Sequence, residues 1–295
     1  MTRLDKSTSS RKITRRSFLR KGIFTTIGFI GLSAAPFYGY FRERLWLETT
    51  HIELPYKSLP KSFDGLKIAH FSDIHYGFYY GVEELSVLVD EVNKQNPDLI
   101  LFTGDLFDGE VLPYAEECAR ELNRLKAPLG RYAVLGNHDY YTGRTKAKLA
   151  YEQSGFRLLT NRSEMLKINN QTIQLVGLDD MFYGKVDINA AFSGVDPHTF
   201  TLLIAHEPDY ADRTSAYRVD LQLSGHSHGG QVRLPIIGAI LTPPGGRTYV
   251  QGLHLLENQD VPSYIYTTRG VGTTHVPIRF LCRPELSMIT LRSER

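Results

Sequence analysis

Between residues 66 and 139 apolar runs alternate with helical stripes. Leu66 to Phe71 is an apolar stretch that runs into Ser72-Asp73-Ile74-His75. From Val82 to Asn93 the residues Leu85, Leu88, Val89 and Val92 fall on one face at helical spacing. Leu99 to Phe102 predicts a second strand, ending in Gly104-Asp105, and Tyr114 to Leu125 a second helix. Tyr132 to Leu135 predicts a third strand, closing in Gly136-Asn137-His138-Asp139. Strand and helix alternating at this pitch build a parallel sheet in an α/β domain.

The second half is richer in strands. After a helical stretch, Thr145 to Ser154, short strands are predicted over Arg157 to Leu159, Met165 to Ile168 and Thr172 to Gly177, with an Asn169-Asn170 turn between the last two. Thr201 to Ala205 runs into His206-Glu207-Pro208, and Val219 to Leu223 into Gly225-His226-Ser227-His228-Gly229-Gly230-Gln231. Tyr249 to Leu255, Ser263 to Thr267 and Leu286 to Leu291 complete the pattern. It predicts two packed sheets flanked by helices.

Asp73 and Asp105 are 32 residues apart, as are Asp105 and Asn137. A βα unit takes about 30 residues, so all three should leave the C-terminal ends of neighbouring parallel strands, where open α/β sheets place ligands. His75, His138, His206, His226 and His228 join them at strand ends. In extended chain i and i+2 point the same way, so Asp73 with His75, and His226 with His228, can each converge on one centre. Nitrogen and oxygen donors without thiolate suit Mn, Fe, Zn or Mg. So many candidates exceed the needs of one ion and match two. Two ions about 3.5–4 Å apart can clamp the attacking and leaving oxygens of a phosphoryl displacement, with a metal-activated hydroxide as nucleophile.

Charge changes the picture at one end only. The net charge of +2 divides into +7 over residues 1–21 and −5 over the rest. The body therefore lacks the basic field of a general nucleic-acid binder. Two cysteines, Cys118 and Cys282, exclude a Cys-based zinc site and argue against a disulfide framework. Thr14-Arg15-Arg16-Ser17-Phe18-Leu19-Arg20 precedes Gly22 to Phe41, twenty residues without a charge. A basic segment before an apolar run has the form of an export signal. Twenty such residues would also just span a bilayer, with Tyr38, Tyr40, Phe41 and Trp46 as an aromatic belt. Residues 1–50 are thus expected to be a signal or membrane anchor with its linker, and 51–295 one domain. Cleavage and retention both remain open.

The ordered set Asp73-Ile74-His75, Gly104-Asp105, Gly136-Asn137-His138-Asp139, His206 and Gly225-His226-Ser227-His228 resembles the calcineurin-like metallophosphoesterases, from about Leu66 to Ser287. The resemblance implies a four-layer α/β/β/α sandwich with two mixed β-sheets. It implies two divalent metal ions (Mn, Fe or Zn), with Asp73, His75 and His228 on one, Asn137, His206 and His226 on the other, and Asp105 bridging. His138 would contact the phosphate and protonate the leaving group. The N-terminal run similarly resembles a twin-arginine translocation signal, which implies the translocation machinery as a partner and a location outside the cytoplasm, at the membrane, cell wall or periplasm.

Gly109 and Asp139 stand where protein phosphatases of this family usually carry arginine and glutamate, which argues against protein dephosphorylation. Gly225 to Gln231, His206-Glu207-Pro208 and the tail from Arg269-Gly270-Val271-Gly272 through Arg283-Pro284-Glu285 resemble its exported bacterial branch. Arg269 is a candidate phosphate contact or a structural ion pair. Tyr76, Phe78, Tyr79, Tyr80, Tyr140 and Tyr141, with the apolar stretch Leu234 to Leu241, lead to the expectation of an aromatic, partly apolar mouth for a lipid- or glycan-linked phosphodiester at a membrane surface. The alternative for the apolar stretch is a buried strand. The alternative for the whole protein is an envelope binding protein with a structural metal centre.

Overall fold

Residues 34–109, 114–256 and 262–294 are described by a computed structural model. The twin-arginine segment and residues 22–33 of the uncharged run lie outside the described residues. Among those described, no helix is long and apolar enough to cross a membrane.

The strand–helix alternation builds a parallel array of β2 (Lys67–Phe71), β3 (Leu99–Phe102), β4 (Arg131–Ala133) and β5 (Arg157–Leu158). β14 (Glu285–Ser293) adds antiparallel beside β2, and β1 (Glu48–Tyr56) pairs parallel outside it. The second sheet runs β12 (Gly252–Leu256), β13 (Ser263–Thr267), β9 (Leu221–Ser224), β8 (Thr201–Ile204), β7 (Gln171–Gly177) and β6 (Arg162–Ile168). Its two edge pairings are antiparallel and its middle is parallel. The Asn169-Asn170 turn joins β6 to β7, with Ile168 opposite Gln171.

The period of two along each strand sorts side chains into layers. Ala69 and Phe71 of β2, with Ile100 and Phe102 of β3, face α1 (Val82–Gln95) through Leu85, Leu88, Val89 and Val92. α1 starts where Gly81 N–H donates to Glu84 Oε2 at 2.9 Å, and stops at Asn96, which is left-handed. α2 (Ala115–Leu122) and α4 (Arg144–Gln153) complete that layer with Cys118, Leu122, Ala150 and Tyr151. The alternate residues Ile68, Leu99 and Leu101 meet Leu175, Leu202, Ile204, Leu221 and Leu223 of the second sheet. Beyond that sheet Val176, Leu203 and Ala205 pack on Phe192 and Tyr210, with the short α5 (Ile188–Ala191) and the turn Pro208–Asp212. The fold is a four-layer α/β/β/α sandwich whose second outer layer is thin.

Two details refine the reading. Near residue 51 the fold is already under way, because β1 begins at Glu48 and pairs with β14 along nine residues. The packed chain reaches further back still: Glu43 is buried and accepts the Cys282 N–H at 2.6 Å. The apolar stretch after the His-x-His turn is not a buried strand. It is a two-stranded hairpin, β10 (Arg233–Leu234) and β11 (Gly238–Ala239), whose isoleucines face outward.

His70 shows what this layering costs a polar residue. It is fully buried beside Ile68 on the inter-sheet face of β2, with Nε2 2.9 Å from Thr103 Oγ1. Burial pushes its pKa from 6.5 down to about 3, against the opposing pull of Glu285. The fold holds it neutral while the unfolded chain takes up a proton below about pH 6.5. Its contribution is therefore complete above that pH and is lost as pH falls toward 3. Between pH 6.5 and 5 the native chain should lose about 1.5 kcal/mol more stability than His70→Gln. Urea unfolding of both chains with chelator present, at the two pH values, checks this; parallel losses would contradict it.

Candidate metal centre

The candidate residues meet where the functional edges of the two sheets join. Phe71 pairs with Phe102, and Phe102 with Ala133, so β2, β3 and β4 end level and send Asp73, Asp105 and Asn137 off one edge. The loops are tied to each other: Asp73 N–H donates to Gly104 O at 2.9 Å, and His75 N–H to Asp105 O at 3.1 Å. In the second sheet Ile204 pairs with Leu223, placing His206 and His226 at neighbouring strand ends. Gly225 N–H donates to His206 O at 3.0 Å. The sheets are joined at Asp73, whose carboxylate accepts the His226 N–H at 3.1 and 3.0 Å.

Asp73, His75, Asp105, His226 and His228 all have φ between 49° and 63°. That left-handed region costs a residue with a Cβ roughly 1–2 kcal/mol. Non-glycine residues in such conformations gather at functional sites, where the surroundings over-determine them.

The side chains converge. His75 Nε2 and His228 Nε2 are 3.0 Å apart, and Asp73 Oδ1 is 3.4 Å from the latter. Asp105 Oδ2 lies 3.6 Å from His75 Nε2 and 3.2 Å from His206 Nε2. His206 Nε2 is in turn 3.1 Å from both Asn137 Oδ1 and His226 Nδ1. Ligand atoms of Asp73, His75 and His228 lie within 4.8 Å of one another, as do those of Asp105, His206 and His226. The structure thus brings together all seven candidate ligands, with Asp105 between the groups. Facing imidazole nitrogens in a buried site can share a proton in the free protein and offer their lone pairs to a cation once that proton leaves. Cations at the two centres would satisfy them, and the sulfur-free donor set suits hard or borderline divalent ions.

Partners behind the imidazoles fix which nitrogen faces inward, as ligating histidines require. His206 Nδ1 donates to Thr103 O at 2.6 Å, leaving Nε2 for the centre. His226 is turned the other way, Nε2 donating to Pro244 O at 2.9 Å. Asp108, which the sequence reading did not single out, has one carboxylate oxygen 3.4 Å from His75 Nδ1 and the other 3.4 Å from His138 Nδ1. Its position three residues past Asp105, in a Gly-Asp-x-x-Asp run, was the available signal. Asp139 is buried and accepts from the backbone N–H of Asp105, Leu106 and Gly136 and from Tyr151 Oη, stitching the second loop to the third.

Charge is distributed unevenly over this cluster. Burial raises the Asp105 carboxyl, but His206, His75 and His138 outweigh it and hold the group well below the usual range. Burial lowers His206, yet Asp105 overrides it and keeps the imidazole well above its ordinary value. Burial and the neighbouring His206 push His226 down to about 4, and burial with His75 and Arg279 pushes His228 well down. For His138 burial is again outweighed, here by Asp108 and Asp105, and its pKa is raised. Burial and Asp105 lift Asp139 to about 6.

His138 begins at the first turn of α3 (Asn137–Tyr141), its N–H donating to Asp105 Oδ1 at 2.8 Å. Its side chain lines an open cavity of about 440 Å³ together with Phe78, Asp108, Tyr141, Thr274 and His275. Arg269 does not join the centre. Its guanidinium pairs with Glu285 (3.1 Å) and Glu48 (2.8 Å), tying β13 to β14 and β1. Two carboxylates already neutralise it, which favours the structural ion pair over the phosphate contact. An arginine that does reach the cluster is Arg279, fully buried, with one guanidinium nitrogen 3.4 Å from His228 Nδ1 and the same nitrogen donating to Gly270 and Gly272 carbonyls.

Buried carboxylates and imidazoles at the joined edges of an α/β/β/α sandwich, beside an open cleft with one further histidine, define a metallohydrolase centre. Residues 66–230 match the family described as calcineurin-like phosphoesterase. The metallophosphoesterase YkuE of Bacillus subtilis is 38% identical over 288 residues, 96% of this chain and 99% of that one. Phosphodiesterase YaeI of Escherichia coli is 32% identical over 292 residues, 95% and 99% of the two chains. Among solved structures, the NAD nucleotidase of Haemophilus influenzae overlays at a TM-score of 0.49, with 15% identity over 70% of this chain and 45% of that one. The chain belongs to the calcineurin-like phosphoesterase family and is a metal-dependent phosphoesterase.

Close packing around the carboxylates yields a prediction. A Cβ at Gly225 would lie 2.1 Å from Ser72 Oγ and 2.3 Å from Asp73 Oδ2. Gly225→Ala should therefore displace Asp73 and lower metal content at least tenfold at limiting metal, a loss of about 1.4 kcal/mol in binding. Elemental analysis after dialysis reads this. Undiminished metal in a folded variant would contradict it.

Proposed function

We propose that this protein is an exported dinuclear phosphodiesterase acting on a lipid- or glycan-linked phosphoester of the cell envelope. The observation that carries it is the pair of ligand groups sharing Asp105. Asp73, His75 and His228 would hold one divalent ion, and Asn137, His206 and His226 the second, with Asp105 between them. Such ions supply Lewis acidity and a nucleophile at neutral pH; their identity among Mn, Fe and Zn is not selected by these donors.

The chain's own residues do the rest. His138 sits beside the centre, oriented by Asp108 through Nδ1 and raised in pKa by Asp108 and Asp105 after the opposing effect of burial. The upward shift favours its protonated form, fitting it to stabilise the phosphate and give its proton to the departing alkoxide. Phe78, Tyr141 and His275 beside it offer apolar and aromatic surface to the ester's organic part. The similarity to YaeI, a phosphodiesterase by name, favours diesters.

Export is supported by the sequence of residues 14–41. The twin-arginine translocation machinery would be the partner, and the extracytoplasmic face of the membrane, the wall or the periplasm the destination.

Chelation should abolish hydrolysis of a chromogenic phosphodiester and Mn²⁺ add-back should restore it; activity indifferent to chelator would sink the proposal. Asp105→Asn should lower the content of both ions. His138→Ala should keep metal but slow turnover about 10²–10⁴-fold, and metal loss in that variant would refute the division of roles. Replacing Arg15 and Arg16 together with lysine should leave the protein in the cytoplasm on fractionation, whereas unchanged export would remove the twin-arginine route.

A further inference from the structure

The β10–β11 hairpin exposes what a hairpin in water ordinarily hides. Its tip is Pro235-Ile236-Ile237-Gly238, with isoleucine at the two central positions where turns usually carry Gly, Pro, Asn, Asp or Ser. Ile236 is fully exposed, and Ile237 and Leu241 are 73% and 79% exposed. Ile236 also has φ of 71°, an outlier for a β-branched residue. An isolated exposed isoleucine needs no explanation, but several at one strained tip do.

This tip is joined to the place where the uncharged run enters the fold. The run Gly22 to Phe41 reaches the described structure at residues 34–41, a helix that presents Phe37 and Phe41 outward. Tyr38 of that helix lies edge-on to Phe280 at 6.5 Å. Phe280 bonds directly to the root of the hairpin, its N–H to Gln231 O at 3.0 Å and its carbonyl to Arg233 N–H at 2.9 Å. Leu281, next in sequence, is exposed.

The sequence of these segments is one-sided in charge, with Glu48 (3.8 Å from Arg283) and Asp209 (3.1 Å from the Arg247 N–H) as acids set against them from outside. Residues 34–42, 228–256 and 274–284 contain no Asp or Glu, while Arg42, Arg233, Arg247 and Arg283 lie among them. Arg283 stacks over the half-exposed Trp46 at 3.6 Å. Exposed aliphatic residues, a Trp–Arg pair and an excess of arginine over acids in these segments match the interface of an anionic bilayer.

We infer that the hairpin tip and the helix of residues 34–41 together seat on an anionic lipid surface, the tip entering the interface. The inference deepens the envelope reading above and rests on it for the compartment. It sets the orientation of the site. Gly230, next to the metal-site turn, packs so closely on the hairpin that a Cβ there would be 2.3 Å from Ala239 Cβ, and His226 bonds to Pro244 just past the hairpin. A tip seated in lipid holds the catalytic turn at the bilayer surface, where a phosphodiester headgroup lies.

The test labels the full chain at Ile237→Cys with a polarity-sensitive fluorophore, Cys118 and Cys282 being buried. Vesicles of phosphatidylglycerol and phosphatidylethanolamine should shift its emission to the blue, and an acyl-chain quencher should reach it. The same label at Met165→Cys, on the β6 edge, should not respond. No shift at Ile237, or equal shifts at both sites, overturns the inference. A blue-shifted signal before vesicles are added means the tip is covered by the chain itself, or by a second copy if dilution reverses it, and either result also overturns it. Ile236→Ser with Ile237→Ser should leave metal-dependent hydrolysis of a soluble diester unchanged and slow that of a vesicle-embedded one; equal rates on both count against it. A shift in a chain with no metal-dependent hydrolysis would sink the proposed function and leave this inference standing. Hydrolysis without a shift would do the reverse.

Discussion

Asp73 carries the constraint on which the rest of the architecture depends. Its backbone leaves β2, its carboxylate accepts the His226 N–H from the other sheet, and Gly225 and Gly270 press against it. An anionic side chain with no exposure is tolerable only if it is hydrogen-bonded and faces positive charge. The fold meets that demand by bringing two sheet edges into register at one point. The level ends of β2, β3 and β4, the small residues around the loops and the left-handed backbone at five cluster residues all serve that convergence.

Much of this is legible in the sequence. The 32-residue recurrence of Asp73, Asp105 and Asn137 reflects the length of one βα unit, and strand ends in a parallel sheet share an edge. Leu85, Leu88, Val89 and Val92 announce α1 because one helix face must cover a sheet. β1 was not legible: its sequence Glu-Thr-Thr-His-Ile-Glu-Leu-Pro-Tyr belongs to an edge strand, where only Leu54 and Tyr56 are buried, so the alternation is weak. The pairing that holds it comes from β14, more than 200 residues away in the chain.

The centre was readable to a different depth. Its side-chain donors leave a mark in the sequence because few residue types can do their work. The groups that orient them are often backbone carbonyls, Thr103 O for His206 and Pro244 O for His226, and any residue can supply one. Arg269 shows the converse: a cation near a polar site reads as an anion ligand until the carboxylates opposite it, Glu48 and Glu285, are placed by the fold. The stretch 234–241 misleads for a similar reason, since hydropathy records how apolar a segment is and not what it faces.

The cluster draws its donors from both sheets, Asp73, His75, Asp105 and Asn137 from one and His206, His226 and His228 from the other. Anything bound at their centre therefore acts as a buckle between two leaves. A ligand that binds only the folded form stabilises it by mass action, about 2.7 kcal/mol at a hundred times its dissociation constant. Here that stabilisation is directed at one seam, the far margins of each sheet being held by their own packing. Ion availability would then govern how firmly the two leaves stay shut, and a single chain could be robust in one medium and loose in another without changing a residue.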